Sequence, residues 1–365
     1  MIHEADLREL VEFEGQDSPV LSLYLDVDPR RLPPEQYRLV LRNLFDTAAG
    51  VDPADRQRVE HFIDLEYDRQ ARGIACFSCQ EQGFWRAYTF NVPIANAIMV
   101  DRRPLVRRLV DLLDTYGHLG VVAVDKTGAR FFSFHLGSLE EASGMVGEEV
   151  KRHKQGGRSA ARYQRHEDEA ALSNLREVAE LTETYARQYQ WRRLVLAGTE
   201  DNIARFSELL SPPMRQLVVG TTPLELNAGL QDVQARAETI ALEARNDYIQ
   251  QLAQELLVAA AKGDHAVAGL GPTLEALQSG RIHQLLFCED YTVEGGHVRR
   301  CASCNYIGES AEAQCPLCGG VYEPLPDAIN TIARRAIAQG AQVTILAPGN
   351  PLEAADTHIG AFLRF

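Results

Sequence analysis

The chain has 365 residues, 45% of them apolar and 24% charged, with 51 acidic side chains against 37 basic ones and a formal net charge of −14. That is the composition of a globular protein with large cores, and it argues against pervasive disorder and against non-specific nucleic-acid binding over the whole surface. Single cores stop growing efficiently beyond roughly 250 to 300 residues, so three domains are expected, at 1–98, 99–222 and 223–365.

The N-terminal MIHEADLRELVEFEGQ carries acids where a signal peptide needs a basic and then an apolar stretch. No run approaches the roughly 18 apolar residues of a membrane helix. A cytoplasmic protein without a membrane partner is the expectation. VLSLYLDV at 20–27 reads as a strand that Asp28, Pro29, Pro33 and Pro34 break. Two helices follow, over 34–50 and 52–67, the second with Asp52 as N-cap and Pro53 in the first helical position. GIACFSC and FWRAYTFNVP read as further strands, completing an α+β domain.

From residue 103 the pattern changes to an amphipathic helix, then GVVAVD, the turn residues 126–128 and ARFFSFHL, a β-hairpin signature. After it comes the segment KRHKQGGRSAARYQR at 151–165. It holds Lys151, Arg152, Lys154, Arg158, Arg162 and Arg165 with no acid among them. Such a local reversal of charge in an acidic chain points to a polyanion, and these six cations are candidate RNA contacts. The pair Gly156-Gly157 lets the backbone enter positive φ and approach a ligand with no Cβ in the way. A polar helix over about 159–190, LVLAGT, a helix over IARFSELL and QLVVGTT then alternate in the α/β manner.

A helix from about Pro223 to Lys262 opens the last unit. GPTLEALQSGRI, HQLLFC, DAINTIARRAIAQG and AQVTILA repeat the helix and strand alternation. An insert at about 296–323 places Cys301, Cys304, Cys315 and Cys318 as two Cys-x2-Cys pairs ten residues apart. Each pair presents two thiolates, and two pairs complete the tetrahedral S4 set of a structural Zn2+ site with no open position for catalysis. Asn305 and Gly319, after each second cysteine, tolerate the positive φ that a metal knuckle requires. Free or disulfide-bonded cysteines are the alternative. Cys76 and Cys79 lie within one strand, where side chains alternate faces, and read with Cys288 as buried core thiols.

The loop and its surroundings resemble the archaeal and eukaryotic-type class I peptide chain release factors, in their bacterial release-factor-like, Pelota- or Balon-related branch. Gly156, Gly157, Arg158, Ser159, Ala160 and Arg162 occupy that family's Gly-Gly-Gln-Ser-Ala-x-Arg pattern, between a hairpin-bearing core and a long helix. GLGPTLEALQSGRIHQLLF, the cysteine insert, GAQVTIL and the closing GAFLRF fall in the order of the family's C-terminal domain, and LSLYLDV is similar to its opening strand. The resemblance implies an α+β N-terminal domain, an α/β RNase H-like middle domain and an α/β L7Ae-like C-terminal domain with a zinc-ribbon insert. It also implies the ribosome as partner, through ribosomal RNA and peptidyl-tRNA, and a translational GTPase for delivery.

Two departures define the expectation. Neither Asn-Ile-Lys-Ser in 46–64 nor Tyr-x-Cys-x-x-x-Phe, the family's stop-codon elements, is present, so the implied role is independent of a stop codon. Arg158 stands where the family has glutamine. The resemblance makes Gly156, Gly157 and Arg158 the residues at the peptidyl transferase centre. Two readings follow: peptidyl-tRNA hydrolysis in ribosome rescue, or a non-hydrolytic A-site factor for hibernation or stalled-ribosome recognition. The amide of residue 158 survives the substitution and favours the first, whereas a long cation that cannot act as a base favours the second. Gln155 is out of register to replace the glutamine, Ser159 reads as a helix N-cap, and His153 and His166 read as solvated or phosphate-contacting.

Overall fold

The computed structural model describes residues 2, 4–16, 18–126, 128–146, 160–293, 297–310, 312–325 and 327–364; helix residues 160–168 are described by backbone alone, as are 4, 145 and 146. The chain divides by contact into two units, one of Met1–Asp114 with Tyr248–Phe365 and one of Thr115–Asp247.

The Thr115–Asp247 unit is built on a five-stranded sheet in the order Ser138–Val146, Gly128–His135, Leu119–Asp125, Arg193–Gly198, Val218–Thr222. The first three strands are antiparallel neighbours, and the last three run parallel. Val121 and Ala123 of the central strand pack toward Val233, Ala237 and Ala241 of the helix Leu230–Lys262. Val122 and Val124 pack on the other side with Leu175 and Val178 of the helix Ala160–Gln188 and Phe206 of Glu200–Leu209. Successive strand side chains point to opposite faces, so a strand buried on both must be apolar throughout, as Leu119–Val124 is. The hairpin turn falls where the sequence places it, with Asp125 opposite Gly128.

The other unit contains three sheets. One is antiparallel, in the order Phe84–Phe90, Gly73–Cys79, Val20–Asp26, Ala97–Asp101. Leu21, Leu23 and Leu25 meet Tyr37, Leu41 and Phe45 of the helix Pro34–Thr47, and Val59 of Pro53–His61. Asp52 caps that second helix by accepting from the Ala54 amide at 2.7 Å. A second sheet has the order Ala266–Ala268, Ile359–Leu363, Ile282–Cys288, Gln342–Leu346. The helices Leu270–Gln278 and Ala328–Ala338 cover one side through Leu274, Leu277, Ile329 and Ile332, while Ile249, Ala253 and Leu256 of the long helix lie among Leu286, Cys288 and Leu346. A third sheet is small, Ile307–Glu309, Val298–Cys301, Tyr322–Pro324, and belongs to the cysteine insert.

The architecture is therefore mixed α/β with several sheets. One sequence expectation shifts. The long helix begins at Leu230 rather than near Pro223, because Pro223, a turn closed by Ala228 N donating to Glu225 O at 3.0 Å, and Gly229 hold 223–229 as a loop. Cys76 and Cys79 are fully buried, and burial raises the pKa of both thiols.

Candidate functional site

In sequence, 147–159 lie between the edge strand Ser138–Val146 and the 29-residue helix Ala160–Gln188. Side chains bond this strand to this helix directly. Tyr185 of the helix donates its hydroxyl to Ser143 Oγ at 2.9 Å, and Tyr189 donates to Glu141 Oε2 at 3.3 Å. The Tyr185 ring lies 4.9 Å from that of Phe131 in the next strand. Asn174, buried on the same helix, donates its side-chain amide to Lys126 O at 3.3 Å and so ties in the hairpin turn. The strand and the helix on either side of 147–159 are thereby fixed to one another.

The residues at the centre of the sequence argument, Lys151, Arg152, Lys154, Gln155, Gly156, Gly157, Arg158 and Ser159, lie outside the described residues, as does His153. Arg162, Arg165 and His166 have their backbone in the first two turns of the helix, and their side chains lie outside the described set.

The four cysteines do come together. Their sulfur atoms all lie within 4.8 Å of one another, with Cys301 and Cys318 at 3.5 Å and Cys304 and Cys315 at 3.6 Å. A tetrahedron of thiolates at zinc, with bonds of about 2.3 Å, has edges of about 3.8 Å, so the cage fits the ion. Local backbone geometry makes the cage. Asn305 (φ 57°) and Gly319 (φ 71°) take up the left-handed conformation that the sequence predicts for the two knuckles. The first knuckle aims the Ser303 and Cys304 amides at Cys301 Sγ, each at 3.4 Å. The Cys304 amide, followed by that of Ser303, lowers the Cys301 pKa to about 6, whereas at Cys304 the Tyr306 amide is outweighed by burial and the neighbouring sulfurs, which raise its pKa to about 12. Around the sulfurs the insert has a very small core, Cys301, Cys315 and Tyr322 with Tyr306 against them. Val298 and Ile307 anchor two of the strands in the neighbouring core, so a metal would add folding free energy chiefly at the sulfurs.

The sequence did not signal a concavity at the carboxyl ends of the parallel strands in the Thr115–Asp247 unit. It has a volume of about 530 Å³ and is lined among others by Asp125, Thr199 and Asn202. Thr199 caps the helix Glu200–Leu209 by accepting from the Asn202 amide at 3.4 Å. Thr199 ahead of the acidic Glu200 and Asp201 was the sequence sign of that cap.

Residues 104–242 match the model of bacterial archaeo-eukaryotic release factor family 10. Eukaryotic peptide chain release factor subunit 1 of Oxytricha trifallax is 29% identical over 198 residues, which covers 51% of this chain. The chain thus spans less than half, 43%, of the length of that curated relative. Among solved structures, an archaeal translation termination factor is 17% identical with a TM-score of 0.26, over 100% of this chain and 99% of its own. Pelota of Archaeoglobus fulgidus is 14% identical with a TM-score of 0.35, over 99% and 92%. An archaeal Pelota described as ribosome-bound together with ABCE1 is 11% identical with a TM-score of 0.43, over 99% and 94%.

Proposed function

We propose, from the premise that this chain belongs to the release-factor-like family of archaeal and eukaryotic type, that it is a translation factor of the ribosomal A site. In this reading the Gly156-Gly157-Arg158 loop reaches the peptidyl transferase centre and promotes hydrolysis of peptidyl-tRNA without reading a stop codon, in ribosome rescue. The observation that carries it is the Gly-Gly-x-Ser-Ala-x-Arg sequence at 156–162, which joins an edge strand to a long helix within the family-matched segment 104–242.

The chemistry asked of the loop is modest. Water adds to the ester carbonyl, the acyl group leaves as the carboxylic acid, and the tRNA 3′-oxygen takes the proton. The diglycine would allow the backbone close to the ester, and the residue 158 amide would donate to the oxyanion as it develops. Arg158 cannot serve as a base. Its guanidinium would instead bind phosphate oxygens in pairs, and Lys151, Arg152, Lys154, Arg162 and Arg165 would add attraction to ribosomal RNA.

Arg158 also favours a second reading, an A-site factor of hibernation or stalled-ribosome recognition that holds RNA and hydrolyses nothing. One assay separates the two. Purified protein and its Arg158→Gln and Gly157→Ala variants are added to stalled ribosomes carrying labelled peptidyl-tRNA. Release by wild type, reduced at least tenfold in Gly157→Ala, supports hydrolysis; A-site binding without release supports the second reading, and no ribosome binding removes both.

The four cysteines would hold a structural zinc that keeps 296–323 folded, and the segment 223–365 would present the surface for a translational GTPase. No helix among the described residues is long and apolar enough to cross a membrane. A site of action in the cytoplasm follows from the proposed ribosomal partner. The three domains 1–98, 99–222 and 223–365 are proposed as the functional modules.

A further inference from the structure

We infer that the cleft at the carboxyl ends of the parallel strands in the Thr115–Asp247 unit is a binding site for an uncharged purine nucleoside, with guanosine the best chemical match. Crevices outside the carboxyl ends of parallel strands are where α/β sheets bind small molecules, because the loops diverge there while the strands hold them rigidly. This cleft, at about 530 Å³, lies within the usual size of such sites.

Its walls are asymmetric. Leu224 and Leu226 supply apolar surface from the loop that precedes the long helix, and Asp125, Thr199, Asn202 and Glu225 supply polar groups. Arg130 fixes that loop in place, donating from Nη1 to Leu226 O at 2.9 Å and Ala228 O at 2.8 Å. The floor is kept open by Gly198. Its φ is +147°, and a Cβ there would lie 2.5 Å from Val124 O. No bulkier residue fits between the two central strands at this point.

Asn202 points to a ligand. It is 7% exposed and lines the cleft, and its side-chain amide makes no hydrogen bond among the described residues, although its backbone N–H caps the helix. With no protein partner among the described residues and with its polar atoms reached only through the cleft, this carboxamide is available to a ligand that enters.

The class of partner follows from charge. Among the described residues none that lines the cleft is Lys or Arg, while Asp125 and Glu225 are acidic and Glu200 and Asp201 occupy the first turn of the adjoining helix. A phosphate is disfavoured by these carboxylates, despite the helix N-terminus. A metal is also a poor match, since the only group of His, Cys, Asp or Glu that converges on one point among the described residues is the cysteine cage. A planar, apolar ring whose edge bears N–H donors satisfies every wall. Guanine offers two adjacent N–H groups to a carboxylate and the acceptors O6 and N7 to an amide donor such as that of Asn202. Its faces would pack on the leucines.

The site is independent of the ribosomal reading, and its test does not use ribosomes. The intact protein is titrated with guanosine, with guanosine 5′-monophosphate and with a short guanosine-containing RNA, by calorimetry or ligand-observed NMR. Saturable guanosine binding is expected, with the monophosphate several-fold weaker. Asn202→Leu and Asp125→Asn should each weaken guanosine about tenfold or more. Asn202→Asp keeps the shape while removing the donor, and reads the same loss should the leucine variant fold poorly. Glu225→Lys, on the exposed rim, should narrow or reverse the preference for the nucleoside over the monophosphate. The inference is overturned by absence of saturable binding up to about 1 mM guanosine, the weak limit of specific recognition. It is equally overturned by binding that Asn202→Leu and Asn202→Asp both leave unchanged, or by RNA binding at this cleft more tightly than the free nucleoside.

Discussion

Arg334, 3% exposed on the helix Ala328–Ala338, donates from Nη1 to the carbonyl of Leu10 at 2.9 Å. The same guanidinium reaches Val11 O, Phe13 O at 2.9 Å and Pro104 O at 3.3 Å. It therefore caps the C-terminus of the helix Glu4–Glu12, whose last carbonyls have no partner within the helix, and its charge suits the negative end of the helix dipole. One turn earlier, Asn330 accepts from Val106 N and donates to Pro104 O, both at 3.1 Å. The two ends of the chain are thus tied into one unit by polar contacts that no local pattern announces. Arg334→Leu should cost about 2 to 4 kcal/mol of stability by stranding these carbonyls, with Arg334→Lys recovering part of it. Denaturant unfolding measures this, and a change below about 0.5 kcal/mol would contradict the cap.

Gly120 sits under the Trp191 indole. A Cβ at this position would lie 2.2 Å from the ring, whose Nε1 donates to Ser133 Oγ at 2.9 Å. Neither ring nor strand can retreat without breaking that bond or the central ladder. Gly120→Ala should therefore lose about 1 to 3 kcal/mol and perturb the tryptophan near-ultraviolet signal. A thermal melt unchanged from wild type would show that the indole has room to move.

Asp28 gives the acid side of the stability profile a specific cause. Burial by itself would raise its pKa, but the Arg30 amide at 3.0 Å and Arg72 Nε at 2.9 Å outweigh it and hold the carboxyl below its ordinary 3.8. A carboxyl with a lowered folded value adds stability that is complete above 3.8 and is lost as pH falls through that lower value. The gap in unfolding midpoint between wild type and Asp28→Asn should be widest at neutral pH and shrink below about pH 4. A gap that stays constant with pH would assign the effect to shape rather than charge.

The cysteine cage should bind about one zinc per chain in protein purified without chelator. Cys304→Ser or Cys318→Ser should lose most of it. Because the sulfurs have so little apolar core around them, chelation should raise hydrogen exchange at Cys301 and across Tyr322–Pro324 by at least tenfold and leave Ile282–Cys288 protected. Metal content far below one per chain, or exchange that chelator does not alter, would remove the metal.

Central strands were legible because burial on both faces makes them continuously apolar, as in Leu119–Val124 and Leu285–Cys288. The edge strands Ala97–Asp101, Ser138–Val146 and Ala266–Ala268 were not. An edge pairs on one side only, and SLEEASGMV, with two glutamates and a glycine, resembles a loop in any short window. The helix Glu4–Glu12 escaped for a related reason, since its carbonyls are satisfied by Arg334, more than 300 residues away in sequence.

Chemistry that lives in short stretches was determined by the sequence alone. The two cysteine knuckles with Asn305 and Gly319 behind them and the Asp125 hairpin each depend on residues a few positions apart, where backbone geometry leaves few outcomes. Tertiary structure decided what depends on elements distant in the chain. It brought Cys301 to within 3.5 Å of Cys318, joined Arg334 to Leu10, and gathered Asp125, Asn202 and Glu225 from three separate segments around one cleft. A sequence pattern records which side chains prefer burial, but which of them share a cavity is set by strand order and helix packing, and those are properties of the whole core.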